Sequence, residues 1–143
     1  MVMSLGVVRF RTVADVVVTF MEAGAAIPDE ALHPWFEALS AGSVSKTMIC
    51  SLGALELGSR ARRRMVDVLT TQGVRVVGLT DEDSNKRIVA SMSFLGVQIT
   101  SYTWAEVRSA ARDLAGDSDG AKSIVRAVVD LRAESPAFIP DSG

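Results

Sequence analysis

The feature that most restricts the fold of this chain is a short run, residues 74–79 (VRVVGL), that is almost entirely apolar. Such continuous hydrophobicity over so few residues is typical of a strand that is covered on both faces. Gly73 precedes the run, and glycine is the residue that most often follows the last turn of a helix. We therefore expect a central strand in a layered α/β sheet with helices covering it.

Strand and helix signals alternate around this run. Residues 46–50 (KTMIC) predict a strand, and a helix with one apolar face is expected to follow from Ser59. After the central strand, a helical stripe over residues 88–95 leads to a short strand at residues 97–100. Strands that alternate with helices pair in parallel through right-handed crossovers. The second half of the chain therefore predicts parallel strand–helix units.

The first part of the chain predicts a different arrangement. Residues 7–10 and 15–20 are rich in β-branched side chains, with a four-residue connection at residues 11–14, and this favours an antiparallel hairpin. A helix is then expected from Pro28, although Pro34 must either kink this helix or begin it.

The end of the chain predicts two more helices. Thr103 and Glu106 have the spacing of a capping box that opens a helix, and a last helix is expected over about residues 121–132. The expected architecture is a mixed sheet with an N-terminal antiparallel hairpin, parallel strand–helix units and an extra C-terminal helix.

Composition places limits on the class of protein. With 143 residues, the chain is long enough for one domain, which we assign to residues 1–134, with a loosely ordered tail at residues 135–143. Hydrophobic residues make up 48% and charged residues 22%, which is ordinary for a globular protein. The net charge of −2 gives no overall attraction to nucleic acid or to an anionic membrane. Because no apolar run is long enough to span a membrane and Cys50 is the one cysteine, we expect a cytoplasmic protein.

The sequence offers few residues for catalysis. With one histidine (His33) and one cysteine (Cys50), it lacks the pairs that nucleophilic catalysis and zinc binding need. No Walker loop or dinucleotide fingerprint is present. We therefore predict a protein that is not an enzyme and that uses no cofactor and no metal.

The start of the helix after residues 46–50 is the strongest candidate for a functional surface. Ser59 is predicted as its N-cap, a role that contributes about 1 kcal/mol. Arg60, Arg62, Arg63 and Arg64 follow at once, although cations in a first helical turn oppose the helix dipole. The arginines predict either a solvated helix face or a patch that faces an anion. The patch has no interleaved aromatic residues, so nucleic acid is not the expected partner.

The order of elements, together with three short segments, resembles the STAS domain of anti-sigma factor antagonists and sulfate transporter tails. The segments are GALELGSRA (residues 53–61), GVRVVGL (residues 73–79) and FLGV (residues 94–97), and the resemblance covers about residues 7–114. Ser59 stands where the family carries its phosphorylatable Ser or Thr. Gly58, Arg60 and Ala61 replace the Asp, the second Ser and the Gly of the family signature. The last helix is an addition to the family's minimal domain.

The resemblance implies a regulatory, protein-binding module that phosphorylation at Ser59 switches. By family analogy the partner is an anti-sigma factor kinase or another signalling scaffold. An alternative is a sensor in which the same loop and helix start bind a nucleotide, an anion or a lipid head group. Whether the chain forms a homo-oligomer stays open. The predicted partner-binding residues are Gly53, Glu56, Leu57, Gly58, Ser59, Arg60, Arg62 and Arg63.

Overall fold

The computed structural model describes residues 7–24 and 26–135, and these contain one five-stranded sheet. The strands lie in the order in which they occur in the chain, the first pair antiparallel and all later pairs parallel. They are β1 (Val8–Val13), β2 (Val16–Met21), β3 (Lys46–Cys50), β4 (Arg75–Leu79) and β5 (Gln98–Tyr102). The predicted mixed α/β sheet is therefore confirmed.

The described residues also contain five α-helices. They are α1 (Asp29–Leu39), α2 (Ser59–Gln72), α3 (Asp83–Phe94), α4 (Val107–Ala115) and α5 (Ser118–Ala133). A short 3-10 helix, Trp104–Glu106, precedes α4, and the predicted capping box of Thr103 and Glu106 is present there.

The hairpin at the start of the chain is tighter than the sequence predicts. The prediction of a four-residue connection is wrong, because β1 continues to Val13 and pairs with β2 over six residues. Only Ala14 and Asp15 form the turn, and Ala14 has a positive φ of 54°. Two-residue hairpin turns need such backbone angles because they match the twist of the strands.

The two faces of the sheet carry separate cores. In β2, Val17 and Met21 point to the face that α1, α2 and α3 cover, whereas Val16, Val18 and Phe20 point to the face under α4 and α5. This alternation follows from the two-residue period of a strand. All six residues of β2 are buried, as expected for a central strand.

Helix α1 runs through Pro34 without a break. Proline lacks the N–H that would bond to the carbonyl of Glu30, four residues earlier. Both residues are exposed, so water can reach that carbonyl. The other side of the helix anchors it: Trp35 is buried and its indole Nε1 donates to Thr19 Oγ1 at 2.8 Å.

Helix α5 begins three residues earlier than predicted, at Ser118, and it packs on both strands of the hairpin and on α4. Its end is held by Arg9, whose guanidinium donates to Glu22 and to the Leu131 carbonyl, both at 2.8 Å. Ser135 is buried and its hydroxyl donates to Glu22 at 2.8 Å. Although the sequence presents this helix as an addition, it closes one of the two cores. The rest of the predicted tail, residues 136–143, lies outside the described residues.

Candidate functional site

The loop between β3 and α2, residues 51–58, is held in place by a buried amide. Asn85 on α3 donates from Nδ2 to the Gly53 carbonyl at 2.8 Å and accepts at Oδ1 from the Leu55 N–H at 2.9 Å. The same amide donates to Thr80 Oγ1 at 3.0 Å. Asn85 is 4% exposed, and buried polar groups of this kind rigidify what they bond to. These hydrogen bonds therefore hold the backbone of the loop in one conformation.

Further contacts fix both ends of this loop. Ser51 donates from its hydroxyl to the Gly53 carbonyl at 2.6 Å, and its own carbonyl accepts from Trp104 Nε1 at 2.8 Å. At the other end, the Glu56 carbonyl accepts from the Ile27 N–H at 3.2 Å. A Cβ at Gly53 would lie 3.1 Å from the Cβ of Ala23, so glycine permits the close approach of this loop to the chain after β2.

The predicted N-cap at Ser59 is wrong. Gly58 is the N-cap of α2, with extended backbone angles, and Ser59 is the first helical residue. Gly58 has no side chain to accept from the free N–H groups of the first turn, and that turn carries no acidic residue. Since Ser59 is exposed, its hydroxyl is accessible for chemistry or for binding.

The arginines that follow Ser59 divide between two directions. Arg60 and Arg64 lie toward α1: Arg60 Nε is 3.2 Å from Asp29 Oδ2, and the guanidinium carbon of Arg64 is 5.3 Å from the centre of the Phe36 ring. Arg62 and Arg63 lie on the other side of the helix, toward α3. Both are exposed, and within residues 7–24 and 26–135 neither forms an ion pair.

A groove of about 410 Å³ runs between α2 and α3 and begins at Ser59. Ser59, Arg62 and Arg63 lie on its α2 side, and the lining also includes the polar residues Asp67 and Ser91 beside four apolar ones. The apolar patch continues to the end of α3, where Phe94 is 91% and Leu95 57% exposed. Large apolar side chains exposed beside a groove mark interaction surfaces more often than a scattered exposed residue does. The rest of the lining comprises Val66, Asp67, Ile88, Ser91, Met92 and Leu95.

Two of the predicted partner-binding residues lie differently from the rest. Leu57 is 9% exposed and belongs to the core between α2 and the sheet, so its side chain is not part of an open surface. Arg60 is exposed but faces α1 rather than the groove. Gly53 and Glu56 contribute backbone groups that shape the loop, while Gly58, Ser59, Arg62 and Arg63 lie together at its end.

The sequence did not indicate the α3 wall of this groove or the role of Asn85. An asparagine three residues into a helix carries no distinctive signal, since the same residue commonly caps helices or faces water. The apolar stripe of α3 was visible, but periodicity alone cannot show that part of the stripe stays open to solvent.

Other reactive side chains lie apart from the groove. Cys50 is buried, and this burial raises the pKa of its thiol far above the ordinary value, so the thiol stays protonated. His33 lies exposed on α1, with Nε2 3.7 Å from Glu37. Within the described part of the chain, no three His, Cys, Asp or Glu side chains are grouped in a way that could hold a metal ion. None of its helices has the length and apolar character needed to cross a membrane.

No family model, no curated protein and no solved structure matches this chain. The resemblance to STAS domains therefore rests on the order of the elements and on the short segments around Ser59, Gly73 and Leu95.

Proposed function

We propose that this chain is a non-catalytic regulatory domain, similar to STAS-type anti-sigma factor antagonists, that binds a protein partner beside Ser59. The binding surface consists of the residue 51–58 loop and the groove between α2 and α3. One observation carries the proposal: an exposed serine and two arginines that form no ion pair with any described residue share a groove with a partly apolar lining.

The composition of the groove indicates the chemistry of the partner. Arg62 and Arg63 outnumber Asp67, the one carboxylate of the lining, and they favour acidic ligands, since guanidinium groups bind carboxylates through two parallel hydrogen bonds. Ile88, Met92 and Leu95 favour apolar side chains, and methionine adapts readily to different shapes. An amphipathic segment with acidic residues beside apolar ones fits both halves. Helix-in-groove binding of this kind is a common mode of peptide recognition.

Phosphorylation of Ser59 supplies a physical switch for this surface. A phosphoserine carries about −1.5 to −2 charges at neutral pH and strong acceptor oxygens. At the first residue of α2 it lies next to the uncapped N–H groups and on the same groove wall as Arg62 and Arg63. The phosphate would pair with these donors and compete with the acidic partner. Phosphorylation therefore releases the partner, and an anti-sigma factor kinase is the class of partner that the family resemblance suggests.

Capture from native lysate tests the proposal directly. The wild-type chain, Ser59→Asp and a control, Thr71→Asp, which places the same charge on the exposed far end of α2, are used side by side as bait. We expect at least one protein that wild type and Thr71→Asp retain and that Ser59→Asp loses. Equal retention by all three baits would contradict the proposal.

A further inference from the structure

A second groove, of about 390 Å³, lies between α4 and α5, on the opposite face of the sheet from the α2–α3 groove. Half of its lining residues are cations, and none is a carboxylate. Ala121 and Val125 provide the apolar part of the lining. The lining consists of Arg108, Arg112, Ser118, Ala121, Lys122 and Val125.

The cations of this groove are close together and unpaired. Arg108 and Arg112 are four residues apart on α4, and Lys122 lies on the facing helix. Arg126 is exposed one turn after Lys122. None of the four side chains has an ion pair or a hydrogen bond to another residue in the described part of the chain.

Several other cations in the described part of the chain have partners, although Arg62 and Arg63 do not. Arg11 and Arg75 each bond to an aspartate at 2.9 Å, and Lys46 Nζ donates to a backbone carbonyl at 2.7 Å. Like charges four residues apart on a helix repel each other. The α4–α5 hairpin thus keeps an unfavourable group of charges around a concave surface, although the chain as a whole is slightly acidic. An anion that binds there would relieve this repulsion.

We infer that the α4–α5 groove binds a compact anion that carries several phosphate groups. Two arginine forks and one ammonium match the density of charge on clustered phosphates, and a guanidinium binds phosphate bidentately. The volume falls within the range of about 300–1,000 Å³ that small-molecule sites occupy. The site depends on these side chains and not on the start of α5, because Asp117 Oδ1 already accepts from the Gly120 N–H there at 2.6 Å.

Calorimetric titration of the full chain with sodium tripolyphosphate tests the inference. The variants are Arg112→Gln, Lys122→Gln and, as the matched control, Arg87→Gln, which removes one exposed cation from α3 on the other face of the sheet. Circular dichroism confirms that each variant is folded. We expect saturable binding of one tripolyphosphate per chain, weakened about tenfold or more by Arg112→Gln or Lys122→Gln and changed less than twofold by Arg87→Gln.

A second titrant, a hexaglutamate peptide, separates phosphate binding from docking of an acidic polypeptide. We expect hexaglutamate to bind at least tenfold more weakly than tripolyphosphate, because its carboxylates are farther apart and carry one charge each. The inference is overturned if tripolyphosphate does not saturate the chain, if all three variants lose affinity equally, or if hexaglutamate binds more tightly. The test is independent of the α2–α3 groove, so its failure would leave the proposed function unaffected.

Discussion

Asn85 is a buried side chain whose hydrogen bonds determine the shape of an exposed surface. Its amide reaches the backbone of the residue 51–58 loop at Gly53 and Leu55, and Thr80 at the end of β4. Neutral hydrogen bonds contribute only about 1 kcal/mol each, but a buried donor or acceptor left without a partner costs about 1–3 kcal/mol. The amide therefore fixes the loop more strongly than an exposed side chain in the same position could.

Replacing Asn85 with alanine should lower the free energy of unfolding by about 1–3 kcal/mol, since the Leu55 N–H loses its partner while the Gly53 carbonyl keeps only the Ser51 hydroxyl. The neighbouring Ser84→Ala is the control. The Ser84 hydroxyl is buried and has no hydrogen-bond partner in the described part of the chain, so its removal should be neutral or slightly stabilising. Urea denaturation of both variants measures the difference. Equal stabilities would show that the amide does not hold the loop.

The start of α2 differs by one residue from the start that the sequence predicts. Ser59 has the residue type and the position expected of an N-cap, but the helix begins one residue earlier than that role requires. Gly58 takes the extended cap conformation instead, and glycine is also among the residues favoured at that position. This shift matters, because a serine that caps its own helix uses its hydroxyl, whereas the exposed Ser59 does not cap α2.

Among the elements, α5 has a larger role than its sequence pattern suggests. The helical spacing of Ile124, Val125, Val128 and Leu131 predicts one inward face; Ile124, Val128 and Leu131 are buried, whereas Val125 is half-buried. Its true start was missed because residues 118–120 (SDG) look like a loop, although Asp117 was available as a cap. Burial against β1, β2 and α4 cannot be read from one sequence, because it depends on which strands form the adjacent hairpin.

Leu131→Ala tests whether α5 is part of the cooperative fold. Leu131 is 4% exposed, and truncation of a buried leucine costs about 2–5 kcal/mol. Val129→Ala, two residues away on the same helix and 47% exposed, should change stability by less than about 1 kcal/mol. Thermal unfolding of the two variants provides the comparison. A small effect of Leu131→Ala would mean that α5 is docked loosely on an already stable domain.

The capping box before α4 gives the fold a defined response to acid. Glu106 accepts from the Thr103 N–H at 2.9 Å, and this hydrogen bond lowers the pKa of the carboxyl group from its ordinary 4.5. A lowered pKa in the folded state means that the unfolded chain binds the proton more readily. The contribution of Glu106 to stability is thus present above pH 4.5 and is lost as the pH falls through the folded-state pKa.

We expect the free energy of unfolding of Glu106→Gln to fall less steeply with decreasing pH than that of wild type, because glutamine cannot titrate. Urea denaturation of wild type and variant at intervals between neutral pH and pH 3 measures the difference in slope. Parallel curves over this interval would show that the capping box does not couple folding to protonation.

On the scale of the whole molecule, the sheet separates two charged surfaces. Helices α2 and α3 form an apolar groove with two arginines on one face, and α4 and α5 form a cationic groove on the other. The sequence predicted the order of the elements and the parallel crossovers, because periodicity and turn residues determine these locally. It did not predict the grooves, since each needs two helices that are neighbours only in the folded structure.

The division of the arginines on α2 supplies a matched test of the central claim. Arg62 and Arg63 line the groove, whereas Arg60 and Arg64 face α1. Two double variants can therefore remove two positive charges each from the same helix, one from the groove side and one from the α1 side. The measurement is the affinity of the captured partner for Arg62→Gln/Arg63→Gln and for Arg60→Gln/Arg64→Gln. If the groove is the binding surface, the first double variant binds at least tenfold more weakly than wild type and the second binds within about twofold of it. Equal losses, or a loss confined to the Arg60 and Arg64 pair, would contradict the account.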